Sequence, residues 1–176
     1  MELSEQIKNM IYEMKEQFLS DEALLIPLLR AIQEEKGYIS FNTMKDAALF
    51  LNLPLKRVRE VATFYTMFNK TPVGKVHLQI CSNISCWLRG ADHLVHCAEK
   101  RLGIKLGETT FDKHFTLSSV ECLAACGTAP VMQVNSSELT IHEEYYEELT
   151  ESKLIELIDK WAKKLNELNE LKQREK

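Results

Sequence analysis

Four cysteines constrain this chain more than any other feature: Cys81 and Cys86 in Cys81-Ser-Asn-Ile-Ser-Cys86, and Cys122 and Cys126 in Cys122-Leu-Ala-Ala-Cys126. Each pair is local, so one loop can hold two thiolates at nearly fixed separation. The pairs stand about one small βα unit apart, so only a folded domain can bring all the sulfurs to one centre. Four thiolates suit a structural zinc ion or an iron–sulfur cluster. Structural zinc sites favour Cys-x2-Cys knuckles, which neither pair forms, and no histidine stands at ligand spacing from Cys122. A 2Fe–2S cluster takes two thiolates per iron, so two separate pairs map onto it one pair per iron. The plant-type ferredoxin pattern needs a third cysteine where this chain has Arg89, which excludes that class. Small residues around the pairs (Ser82, Asn83, Ser85, Ala124, Ala125, Gly127) let backbone N–H groups approach sulfur closely. Spacing favours iron–sulfur over zinc without closing the choice.

Composition narrows the setting. The chain has 176 residues, 45% apolar and 27% charged, with a formal net charge of −4. That leaves no general basic footprint for nucleic acid, and a protein partner or a held cofactor is the better expectation. No run of roughly 18 apolar residues offers a membrane span. The start, Met1-Glu-Leu-Ser-Glu-Gln, has neither the basic-then-apolar form of a secretory signal nor the Arg-rich form of a transit peptide. The expectation is a cytoplasmic protein, or a mitochondrial matrix protein whose presequence has been removed. Five cysteines in a reducing compartment point to metal ligation over disulfides.

Along the chain, residues 1–70 read as a helical bundle. Ile7, Ile11, Met14 and Phe18 form an apolar stripe on a first helix. Ser20 or Asp21 caps a second helix carrying Leu25, Leu28, Leu29 and Ile32, and Gly37 ends it. Ser40 or Asn42 caps a third, with Met44, Ala47, Ala48 and Leu51. Pro54 opens a fourth, which runs through Val58, Val61 and Ala62 into Phe64-Tyr-Thr-Met-Phe68. Asn69 to Gly74 is a Pro- and Gly-containing boundary. Beyond it the spacing predicts strands at Val76–Ile80, Phe115–Val120, Val131–Val134 and about Leu139–Ile141. Helices are predicted over Ala91–Leu102 and from about Thr150 onward, and the 75–162 segment reads as a minimal β-α-β-β-α domain of α+β class. The last helix carries Leu154, Ile158, Trp161, Leu165 and Leu168 on one apolar stripe, and residues 163–176 form its charged helical tail, whose last turns from Asn166 are expected to be solvated. Both cysteine pairs fall in loops just after strands. If those strands are neighbours, four thiolates meet at one edge of the sheet.

Other residues carry plainer readings. Cys97 lies on the predicted 91–102 helix as a small buried hydrophobe. His77, His93, His96, His114 and His142 are scattered, and none stands where it would replace a thiolate. Phe64–Phe68 reads either as bundle core or as an exposed partner contact.

With these motifs in view, the chain resembles the thioredoxin-like 2Fe–2S subunit of NADH:quinone oxidoreductase, respiratory complex I. The likeness runs over residues 20–162. It is carried by Leu28-Leu-Arg-Ala-Ile-Gln-Glu-Glu-Lys-Gly-Tyr38, Val61-Ala-Thr-Phe-Tyr65, Gly103-Ile-Lys-Leu-Gly-Glu-Thr-Thr110, Val120-Glu-Cys-Leu-Ala-Ala-Cys126 and Ala129-Pro130. The resemblance implies a thioredoxin-like domain behind the helical bundle, with Cys81, Cys86, Cys122 and Cys126 as ligands of one 2Fe–2S cluster and no catalytic residue of its own. It further implies one-electron exchange with the FMN of a partner flavoprotein subunit, which binds NADH, FMN and a 4Fe–4S cluster. Other peripheral-arm subunits would also contact the chain, which would sit at the inner membrane only through the complex. The same module in a soluble NAD-linked hydrogenase or formate dehydrogenase is an alternative. A zinc-stapled interaction module and a thiol exchanger stand further off. The family commonly reads Cys-Leu-Gly-Ala-Cys, and here Ala124 replaces the glycine. If that position needs a positive φ, the loop carries strain of about 1 kcal/mol.

Overall fold

The computed structural model describes residues 3–174. The chain divides between Pro72 and Val73 into two compact units.

In the first unit, Ser4 caps α1 (Glu5–Met14) by accepting from the Ile7 N–H, and Ile7 and Ile11 turn inward. The stripe predicted through Phe18 stops earlier as helix. After Met14 the chain makes one 3-10 turn, and Phe18 is extended (φ −118°, ψ 141°). The reason is the next cap: Ser20 must be extended for its Oγ to accept from the Ala23 N–H, so the helix has to break before it. A 3-10 turn at Asp21–Leu24 then leads into α2 (Leu25–Lys36), which ends on left-handed Gly37. Ser40 caps α3 (Phe41–Phe50), accepting from the Thr43 N–H at 3.1 Å. Pro54 occupies the cap position itself, just ahead of α4 (Leu55–Phe64). Leu28, Leu29, Ile32, Ala47, Val58 and Ala62 close one core. The Gln33 amide clamps the returning chain, donating to the Met67 carbonyl at 2.8 Å and accepting from the Asn69 N–H at 2.6 Å. Phe64–Phe68 divides between its two readings: Phe68 is buried in the core, whereas Phe64 is 77% exposed.

The second unit is α+β, with a four-stranded sheet. Its elements run β1 (Val76–Cys81), α5 (Ile84–Leu88), α6 (Ala91–Leu102), β2 (Phe115–Val120), β3 (Met132–Ser136), β4 (Ile141–Tyr146) and α7 (Glu151–Arg174). The sheet order is β2-β1-β3-β4, with β1 and β2 parallel and the other pairs antiparallel. A parallel pair needs a crossover, and the α5–α6 segment supplies it. As a central strand β1 is buried along its whole length, with Val76, Leu78 and Ile80 on one face and His77 and Gln79 on the other. Gly74, just before β1, lies so close to β2 that a Cβ there would stand 2.7 Å from the Phe115 carbonyl carbon. The 103–110 loop runs back along β2, with the Gly107 N–H donating to the Leu117 carbonyl at 2.7 Å and the Thr109 and Thr116 hydroxyls paired at 2.7 Å.

The apolar stripe expected through Leu165 and Leu168 is realised, while the charged end beyond Asn166 is less free than expected. α7 runs unbroken to Arg174, Leu165 is fully buried in the unit's core, and Leu168 packs against that core. The apolar spacing that begins at Leu154, Ile158 and Trp161 simply continues. Polar anchors hold the far end: Asn169 bonds Lys75 at 2.7 Å and His114 at 3.0 Å, and Lys172 pairs with Glu138 at 2.8 Å.

Candidate metal centre at the ends of the parallel strands

The parallel register sets Cys81, the last residue of β1, opposite Val120, the last residue of β2. The Ser82 N–H still donates to the Val120 carbonyl at 3.0 Å, so the two strands leave the sheet together. Cys122 follows two residues after Val120. Cys86 lies on α5, a helix that the sequence reading missed. Its start was legible in Asn83, whose Oδ1 accepts from the Ile84 N–H at 2.9 Å. Cys126 opens a 3-10 turn at Cys126–Thr128. All four thiols are free.

Cys86 lies within electrostatic reach of Cys81 and Cys126, and Cys126 within reach of Cys122 and Cys81. Burial first, then the Cys81 side chain, pushes the Cys86 thiol up to about 11, with a smaller push from Cys126. The Cys126 thiol is raised chiefly by its contact with Cys122, and Cys81 adds to this. Like groups that penalise each other's ionisation are stabilised together by a shared cation. Cys122 and Cys126 are 3.3 Å apart at sulfur, close to the roughly 3.7 Å that two thiolates span on one tetrahedral ion. The donor set therefore fits an iron–sulfur centre. It is also lopsided: Cys81 and Cys86 are buried, whereas Cys122 and Cys126 face solvent. Ile84, Trp87 and Leu88, all on α5 beside Cys86, are exposed apolar residues that the sequence reading did not single out.

Ala124 adopts φ +60°, the left-handed conformation in which glycine is at ease. Its N–H donates to the Cys122 sulfur at 3.3 Å, so the unusual backbone turn delivers a hydrogen bond to a candidate ligand.

Cys97 packs against the core as expected of a small hydrophobe, but it is not fully buried. It is half-buried on α6, and its sulfur lies 3.5 Å from His93 Nε2. Burial and the neighbouring Glu151 raise its thiol.

Residues 7–162 match the family model of the thioredoxin-like 2Fe-2S ferredoxins, and the chain belongs to that family. A 2Fe–2S cluster is the cofactor that goes with it. A subunit of the NADH-quinone oxidoreductase of Rickettsia prowazekii is 44% identical over 149 residues, covering 84% of this chain and 77% of the relative. Its counterpart in Rickettsia conorii is 47% identical over 137 residues, covering 77% and 78%. Among solved structures, an NAD+-reducing NiFe hydrogenase in its air-oxidized state shares the fold, with a TM-score of 0.66 at 17% identity over 80% of this chain. The chain spans only 23% of that hydrogenase chain. No helix among the described residues is long and apolar enough to cross a membrane.

Proposed function

We propose that Cys81, Cys86, Cys122 and Cys126 hold the 2Fe–2S cluster, one pair to each iron, and that the chain is an electron-transfer subunit of an NADH:quinone oxidoreductase. The observation that carries the reading is the parallel β1–β2 register, which carries the two distant pairs out of the sheet side by side. The bound cluster supplies a one-electron carrier. What this chain contributes is a holder. Buried Cys81 and Cys86 fix one side on the sheet and α5, the Ala124 N–H donates to the other side, and the Cys122–Cys126 loop leaves that side open to a partner.

The partner in this reading is a flavoprotein subunit that takes hydride from NADH on its FMN and exchanges single electrons with this chain. The relatives are named as parts of an NADH-quinone oxidoreductase, which supports that assignment. The exposed Ile84, Trp87 and Leu88 place apolar surface on α5 beside Cys86. Other subunits of a peripheral arm would complete the surroundings. Assembly into a soluble NAD-linked hydrogenase is the second reading, supported by the shared fold. Identities of 44% and 47% to the quinone-linked relatives, against 17% to the hydrogenase, favour the respiratory one.

The test is reduction by NADH in the presence of whatever flavoprotein co-purifies with the tagged full chain. The reading expects a 2Fe–2S EPR signal to develop on NADH addition, and only when the flavoprotein is present. It expects that flavoprotein to fractionate with a membrane-bound complex. A soluble hydrogenase in its place would favour the second reading, and NADH reduction without any partner would contradict both.

A further inference from the structure

A second set of metal-binding side chains lies outside the four-cysteine centre. His93 and Cys97 stand four residues apart on α6, so they share one helix face. Glu151, the first residue of α7, meets that face. His93 Nε2 is 2.9 Å from Glu151 Oε2 and 3.5 Å from the Cys97 sulfur, and the three ligand atoms all lie within 4.8 Å of one another. Two donors on a tetrahedral zinc ion stand about 3.3–3.6 Å apart, so side-chain adjustments of under about an ångström would seat an ion among them.

We propose that His93, Cys97 and Glu151 form a binding site for one zinc-class divalent ion that pins the start of α7 to α6. The donor chemistry selects the ion. One imidazole, one thiolate and one carboxylate suit a borderline-soft cation, whereas magnesium and calcium ask for oxygen ligands throughout. Three protein ligands leave a fourth position, and it falls on the solvent side, since the His93 and Glu151 side chains are 67% and 51% exposed. Water completes the shell there, as in zinc sites built from three protein ligands.

The location gives the ion a structural effect. α6 is the crossover between β1 and β2, and α7 closes the same core through Leu154, Ile158 and Trp161. An ion pair between Arg101 and Asp159 already ties the two helices further along. The metal would add a second tie at the end where α7 begins.

Alkylation of Cys97 by iodoacetamide, read on the peptide that contains it, tests the site on the cluster-loaded protein, whose other four cysteines are then occupied. One equivalent of Zn2+ is expected to slow the reaction at Cys97 at least about tenfold, and Mg2+ to leave it unchanged. His93→Ala and Glu151→Gln, both exposed positions, should each lose most of the protection while keeping the circular dichroism of the parent. X-ray absorption at the zinc edge should show one sulfur among nitrogen and oxygen ligands. Alkylation at the same rate with saturating Zn2+, or full protection in both variants, would overturn the proposal. So would a shell of three or four sulfurs, which would place the ion among the other cysteines.

Discussion

Ala124 shows how one residue can set the terms for a ligand loop. Its φ of +60° crowds a Cβ against the backbone at a cost of about 1–2 kcal/mol. The loop keeps that geometry because it points the Ala124 N–H at the Cys122 sulfur. Ala124→Gly is therefore expected to stabilise the protein by roughly 0.5–1 kcal/mol, the strain relieved less the extra freedom glycine gives the unfolded chain. A shift of the denaturation midpoint in the opposite direction would show that the loop is not strained there. His77 acts through solvent exclusion. Buried on β1, with Nε2 2.7 Å from the Ser118 hydroxyl, it is held neutral, its pKa lowered from 6.5 to about 4 by burial. The unfolded chain takes up this proton below about pH 6.5, and the folded chain takes it up only near pH 4. The stability conferred by a neutral His77 is thus complete above about pH 6.5 and declines as pH falls through that window, by up to about 3 kcal/mol. His77→Gln should flatten that decline, as denaturant titrations at pH 7 and pH 5 would reveal. An unchanged slope would rule His77 out as its source.

Among the elements, legibility followed periodicity. The strands Val76–Cys81 and Phe115–Val120, the caps at Ser20 and Ser40 and the stop at Gly37 all have local signals, and the structure realises them. What escaped had only weak local signals or depended on distant residues. α5 is five residues long and its apolar side chains Ile84 and Leu88 point outward, so it has no inward stripe to detect. The apolar stripe of α7 was legible through Leu165 and Leu168, and what its charge concealed was the set of polar partners of its last turns. Those partners are Lys75, His114 and Glu138, which Asn169 and Lys172 reach across the fold. Glu151 reaches the His93–Cys97 face only through the fold, and no spacing announces it. If the end of α7 is integral to the second unit, Leu165→Ala should cost about 2–4 kcal/mol, as for a fully buried leucine. A loss below about 0.5 kcal/mol by thermal or denaturant unfolding would return residues 163–174 to the status of a solvated extension.

At the scale of the whole molecule, the chain pairs a helical unit with a sheet unit that carries all five cysteines. The proposed ligand set was legible in the spacing of the two cysteine pairs. That the two pairs leave the sheet side by side was not, because it depends on β1 and β2 being parallel neighbours with Cys81 level with Val120. In this chain that register sets the cysteine pairs of the proposed site at the ends of adjacent strands. The measurement that tests it most directly is iron and acid-labile sulfide per chain on anaerobically purified protein, with an EPR spectrum after dithionite reduction. It should be repeated for Cys81→Ser, Cys86→Ser, Cys122→Ser and Cys126→Ser. The account predicts about two irons and two sulfides with a rhombic S = 1/2 signal, and loss or clear alteration of that signal in every one of the four variants. Wild-type content and an unchanged spectrum in any of them would remove that cysteine from the ligand set, and zinc in place of iron after attempted reconstitution would contradict the redox reading as a whole.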